Sequence, residues 1–154
     1  MTAGQETLLV RWDDLDALVG ALAEQVGAEY DVVLTITRGA LVPTGMLAYR
    51  LGMRNIVVAA VAYYDDAGHR AAQPTFLQFP SDPLLQGKGG CVSDGVGGTG
   101  TTRGAVVERG RLAGGHPTTG VLHYKPARSK VALVPDHHVV ATDAWVVYPY
   151  KYGT

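Results

Sequence analysis

A chain of 154 residues with 47% hydrophobic and 18% charged side chains is expected to fold as one globular domain around its own core. Its 13 Lys and Arg against 14 Asp and Glu leave a net charge of −1, with no basic run to track a phosphate backbone, which excludes nucleic acid as an expected partner. No apolar run nears the ~20 residues of a membrane span, and the lone Cys91 cannot form an internal disulfide, so a reducing, cytoplasmic setting is expected.

The opening MTAGQETLLVRWDD lacks the cationic start and apolar stretch of a secretory signal. From Trp12 to about Val26, Leu15, Leu18, Val19, Leu22 and Val26 recur at helical steps, with Asp13 or Asp14 to cap the start and Gly27 to end it. DVVLTIT (31–37) is a β-branched run that predicts a buried strand, followed by the turn RGA. Pro43 suits the first turn of a second helix, which carries Met46, Leu47 and Leu51 on one face and stops at Gly52. NIVVAAVAYY (55–64) is a second strand.

Residues 65–87 mix charges, three prolines and a few apolar residues, and read as a long excursion outside the core. CVS (91–93) predicts a short strand, about 102–113 a helix, and TTGVLHY (118–124) another strand. The tail holds the β-like pieces VALV (131–134), HHVV (137–140) and AWVVYPY (144–150). Alternating strand–helix units followed by a β-rich tail imply an α/β fold: a parallel sheet flanked by helices, with a small C-terminal β-rich hood. A single domain over 1–154 is expected, its core about 8–124 and its hood about 125–152. In such sheets ligands bind beyond the C-terminal strand ends. The turns TRGA (37–40) and DGVGGTGTT (94–102) both fall there.

A glycine-rich turn entering a helix lets successive backbone N–H groups converge, while the helix N-terminus and threonine hydroxyls add further attraction for a phosphate. The turn lacks the Gly-Lys-Ser/Thr ending of a Walker loop. Gly95, Gly97 and Gly100 satisfy GxGxxG, but late in the chain and with no acid ending a strand about twenty residues on, so a dinucleotide site is not expected.

The stretch CVSDGVGGTGTT instead resembles the phosphoribosyl-pyrophosphate loop of the type I phosphoribosyltransferases. The resemblance implies a 5′-phosphate site over Asp94, Gly95, Val96, Gly97, Gly98, Thr99, Gly100, Thr101 and Thr102, with Asp94 facing the ribose hydroxyls. TRGALVP (37–43) resembles the family's pyrophosphate loop, which implies that Thr37, Arg38 and Gly39 hold pyrophosphate. The excursion at 65–79 matches the family's flexible lid. The tail from Tyr124 to Lys151 resembles the hood of short bacterial and archaeal purine enzymes of the xanthine-guanine type. Lys125, before Pro126, is then implied to reach the purine 6-oxo group, Trp145 to stack on the base, and Val146 to lend it backbone groups. Asp94, Lys125 and Arg38 are the implied catalytic residues, Mg²⁺ the cofactor with Asp94 as its ligand, and a homo-oligomer the assembly. The implied activity transfers 5-phosphoribosyl from phosphoribosyl pyrophosphate to a 6-oxopurine.

The pattern is broken at two acids. In an ungapped match Gly95 stands where the family has its second acid, and Gly98 where it has the acid beside the purine imidazole. A one-residue gap puts Ser93 and Asp94 at the acid pair and leaves Gly98 unchanged. A missing general acid or base costs roughly 10²–10⁴ in rate. Asp65 or Asp66 are candidate substitutes, and a non-catalytic nucleotide or phosphoribosyl-pyrophosphate sensor is the alternative reading. His137 and His138 are expected to point to opposite faces of a strand and not to form a metal site. His69, His116 and His123 are expected in a loop, a turn and a strand, and of Tyr63 and Tyr64 one is expected to pack and one to face ligand.

Overall fold

The computed structural model describes residues 5–64, 67–96, 100–128 and 134–151. Its centre is a six-stranded sheet in the order β4-β3-β2-β5-β6-β7: β2 (Val32–Ile36), β3 (Ile56–Tyr64), β4 (Arg70–Gln78), β5 (Gly89–Val96), β6 (His116–Tyr124) and β7 (His137–Ala141). Every pairing is parallel except the β3–β4 hairpin. A separate pair joins β1 (Thr7–Leu9) to β8 (Trp145–Val147) in parallel, with Leu8 opposite Val146.

The strands of the central sheet alternate their apolar side chains between two cores, as a two-residue period requires. On one face Leu15, Val19, Leu22 and Val26 of α1 (Trp12–Val26) and Leu47 of α2 (Leu41–Leu51) pack against Val33, Cys91 and Leu122. On the other, Val106 and Val107 of α3 (Thr101–Leu112) meet Leu34, Ile36, Ala59 and Val92. Full burial of one such leucine contributes roughly 1.5–3 kcal/mol. Asp14 anchors the start of α1 by accepting the Arg11 N–H at 2.9 Å, and Gly27 ends it at φ 72°.

Residues 65–87 are a correction to the expected loop. From Arg70 to Gln78 they form the edge strand β4, and Phe76 and Phe79 pack onto the α3-side core while Leu85 is buried. Pro74 is tolerated because an edge strand has one side without a ladder partner. Asp65 and Asp66, the candidate substitutes for the missing acid, lie outside the described residues.

The tail also departs from its expected grouping. HHVV becomes β7, hydrogen-bonded to β6 as the sixth strand of the central sheet, while β8 pairs with the start of the chain. Residues 131–133 lie outside the described residues.

Candidate functional site

The order β3-β2-β5-β6 reverses chain direction between β2 and β5: from β2 the chain moves outward to β3, and from β5 it moves the other way to β6. Loops leaving such neighbours diverge and open a crevice at the strand ends. The 37–40 turn leaves β2 and the 94–102 turn leaves β5, so the two loops singled out in the sequence share that crevice. Their backbones nearly touch, since a methyl group on Gly95 would lie 3.4 Å from the Gly39 carbonyl oxygen.

The first loop is a tight turn with a cis Thr37–Arg38 peptide, leading through the buried Ala40 into α2. The Arg38 side chain is exposed. Thr44, buried in α2, donates its hydroxyl to Ser93 Oγ at 2.8 Å and so fastens the helix to β5 beside Asp94. In the second loop Gly97, Gly98 and Thr99 lie outside the described residues. Gly100 is the N-cap of α3 at φ 79°, a backbone state that favours glycine, and Thr101 and Thr102 open the helix. This N-terminus therefore brings backbone N–H groups that lack an acceptor within their own helix, and a positive dipole end, to the crevice. Tyr63, at the end of β3, donates to the Thr101 carbonyl at 3.1 Å.

Asp94 extends one residue beyond the last β2–β5 pair, Thr35 with Ser93, and thus stands where β2 has already turned away. Burial pushes its carboxyl up to about 6, against the pull of Arg103, the Gly95 N–H and Lys151. Arg103 was not foreseen. It is 0% exposed, and burial lowers its pKa while Asp94 raises it. The available signal was its helical spacing with Val106, Val107 and Gly110, which puts it on the inward face of α3.

The chain's last described residues were also overlooked as site components. Tyr148 and Tyr150 flank Pro149, with their rings stacked at 5.5 Å and 3°. The Tyr150 hydroxyl donates to Gly39 O at 2.7 Å, and that of Tyr148 to Gly95 O at 3.2 Å. The Tyr148 oxygen also lies 2.7 Å from His123 Nδ1. With Tyr148 donating to Gly95, His123 must donate from Nδ1, which fixes its neutral tautomer. Burial and the nearby Lys125 hold the His123 pKa down at about 4. Each loop is thus clamped at a carbonyl by one tyrosine. The expected strand AWVVYPY supplies these groups only because it ends at Val147 and turns at Pro149–Lys151.

Lys125 and Trp145, the expected base-binding pair, come together. Lys125 is 4% exposed, and its Nζ lies 5.5 Å from the centroid of the Trp145 ring, which is 44% exposed. Burial, then Arg128, lowers the Lys125 pKa, opposed by Asp143. Val146 sits next to Trp145 with its side chain in the α1-side core, so only its backbone can serve a ligand.

The remaining candidates stand apart from these contacts. His137 and His138 are both half-buried in β7, His138 against the Tyr124 ring at 5.4 Å. Cys91 is buried, and burial followed by Asp136 pushes its thiol up to about 12, far from a reactive thiolate. Among the described residues no helix is long and apolar enough to cross a membrane.

No family model matches the chain. Solved structures do. A purine phosphoribosyltransferase from Pyrococcus horikoshii is 27% identical, with a TM-score of 0.81 over 97% of this chain and 96% of that one. A protein of Neisseria gonorrhoeae with bound ppGpp is 26% identical, with a TM-score of 0.78 over 99% and 93%. The Helicobacter pylori xanthine-guanine-hypoxanthine phosphoribosyltransferase, at 14% identity, has a TM-score of 0.81 over 96% and 95%. With two loops converging at the β2/β5 reversal and the match running nearly end to end, the chain has the fold of the type I phosphoribosyltransferases.

Proposed function

We propose that the chain transfers 5-phosphoribosyl from phosphoribosyl pyrophosphate to a 6-oxopurine. The convergence of the 37–40 and 94–102 loops at one crevice carries this reading, with Lys125 against Trp145 as its counterpart for the base. A ring nitrogen of the purine bonds to C1′ as the C1′–O bond to pyrophosphate breaks, and the proton that this nitrogen carried passes to the departing pyrophosphate or to water.

Each group has a physical task. The α3 N-terminus, Thr101 and Thr102 grip the 5′-phosphate, joined by Thr99 and the backbone of 95–98. Thr37, Arg38 and Gly39 take pyrophosphate. Asp94, ionised at neutral pH, accepts from the ribose hydroxyls and steadies positive charge at C1′. Lys125 polarises the purine oxo group, Trp145 stacks on the ring, and the Val146 backbone meets the base edge.

Mg²⁺ keeps several waters and binds through one or two carboxylates plus substrate phosphates. Asp94 offers one carboxylate, which fits an ion carried on the substrate; when bound, that ion offsets charge on the leaving group. Among the described residues no cluster of three acidic, His or Cys groups forms a dedicated metal cage. A homo-oligomer in the cytoplasm is the setting this reading carries with it.

A second reading is a nucleotide sensor without turnover. Gly95 and Gly98 favour it, as does the ppGpp bound by the Neisseria gonorrhoeae structure. Incubating the protein with phosphoribosyl pyrophosphate, Mg²⁺ and guanine, xanthine or hypoxanthine, followed by chromatography for nucleotide, separates the two. Product with any base supports the transferase. No product, together with calorimetric binding of GMP or ppGpp, supports the sensor, and no binding of any of these ligands defeats both. Within the transferase reading, Gly98→Asp raises turnover if that missing acid limits the rate; an unchanged or lower rate counts against it.

A further inference from the structure

The tyrosine clamp delivers one more group into the crevice. Lys151 follows Tyr150, and its N–H donates to the Tyr148 carbonyl at 3.0 Å in a single 3₁₀ turn. Its side chain runs over the 37–40 loop, where a methyl group on Gly39 would lie 3.6 Å from Nζ and 4.0 Å from Cε. The ammonium also sits 6.0 Å from the centroid of the Tyr148 ring. Fixing a surface lysine over a site costs backbone order as well as side-chain rotamer freedom. Here the backbone at its root is already held to both loops through Tyr148 and Tyr150.

Charge then decides what this ammonium is for. Asp94 feels both Arg103 and Lys151, and the fully buried Arg103 has the larger effect. The carboxylate therefore has a counter-charge without Lys151. Among the described residues, the N–H groups of Arg38 and Gly39 enter no turn or helix hydrogen bond, although their carbonyls are engaged by Leu41 N–H and the Tyr150 hydroxyl. Two backbone donors and an ammonium over one glycine form a site for a multiply charged oxyanion.

Resting on the transferase reading above, we propose that Lys151 is a pyrophosphate-binding residue, gripping the leaving group together with the backbone N–H groups of Arg38 and Gly39. A protein cation then shares the charge neutralisation that the Asp94 carboxylate can recruit only through a metal ion.

The test is calorimetric titration of wild type, Lys151→Met and Lys151→Arg with inorganic pyrophosphate, in EDTA and in Mg²⁺, and in parallel with GMP. Wild type is expected to bind pyrophosphate in EDTA. Lys151→Met is expected to weaken that binding by about tenfold or more while GMP affinity stays within about twofold, and Lys151→Arg to restore most of the loss. Mg²⁺ is expected to narrow the gap. Equal pyrophosphate affinity in wild type and Lys151→Met overturns the proposal, as does a parallel loss of pyrophosphate and GMP, which marks a structural role. Wild type that binds GMP but not pyrophosphate overturns it and leaves a nucleotide site standing; wild type that binds neither defeats the transferase reading itself.

Discussion

The two halves of the proposed site are built by different means. The half proposed for the anions is mainly backbone: the 37–40 turn, the N-terminus of α3 and glycines at 39, 95 and 100. The half proposed for the base is side chains, Lys125 against Trp145, carried on the end of β6 and on a lobe strand that pairs with the other end of the chain. Backbone donors at a strand–helix junction are positioned by the sheet itself, and a single side-chain change removes none of them. Side chains on a two-stranded lobe depend on every contact that docks the lobe. The backbone donors of the anion half should therefore fail through their supports, and the base half through its own residues.

The strongest support to break is Arg103. Removing a buried partner and leaving Asp94 without its main counter-charge costs roughly 3–5 kcal/mol, so Arg103→Leu is expected to lower the denaturation midpoint severely. A midpoint close to wild type in urea titration refutes the supporting role. Tyr148→Phe comes next. It deletes the hydroxyl between His123 Nδ1 and Gly95 O, at a cost of about 1–3 kcal/mol for stranded buried groups. It should also weaken ribose 5-phosphate binding, and calorimetry that finds that affinity intact severs Tyr148 from the loop.

For the base half, Trp145→Ala should reduce GMP affinity by about tenfold, the worth of one stacked base, while ribose 5-phosphate binds as before. Equal losses for both ligands erase the division between the halves.

The pH dependence of stability is a subtler measure, because Asp94 and His123 oppose each other. The folded pKa of Asp94, about 6, lies above its ordinary 3.8, so the folded state holds that proton more tightly and stability falls as pH rises from about 4 to 6. The folded pKa of His123, about 4, lies below its ordinary 6.5, so the unfolded chain takes up that proton first and stability rises across about 4 to 6.5. Asp94→Asn should thus steepen the rise of Tm with pH, and His123→Gln should flatten or invert it. Parallel Tm–pH curves for both variants and wild type contradict this balance. The smallest effect is expected far from the crevice, at the exposed Arg50–Asp16 pair between α2 and α1. There Arg50→Ala should cost less than about 1 kcal/mol, and a larger loss by urea titration makes that pair a support in its own right.

Much of this was legible in the chain because it is local. The helical spacing of Leu15, Leu18, Leu22 and Val26, the glycine stop after each of the first two helices and the glycine-rich entry to α3 each follow from a few neighbouring residues. So does the coincidence of both loops with strand C-termini, which needs only the strand–helix order. Lys125 and Trp145 were named from short motifs, and their contact at 5.5 Å needed the fold.

What the sequence by itself determined is therefore the alternation of strands and helices and the two loops with their backbone chemistry, because periodicity, capping and glycine conformations act over a single turn or strand. The tertiary structure alone decided that 70–78 closes the sheet's edge despite Pro74, that Thr7–Leu9 meets Trp145–Val147, and that Arg103 is fully buried and acts on the charge of Asp94. It also decided that Tyr148, Tyr150 and Lys151 return to Gly39 and Gly95 from more than fifty residues away. Such contacts follow from how the layers close over one another, and no local pattern specifies which distant segment will fill a given gap.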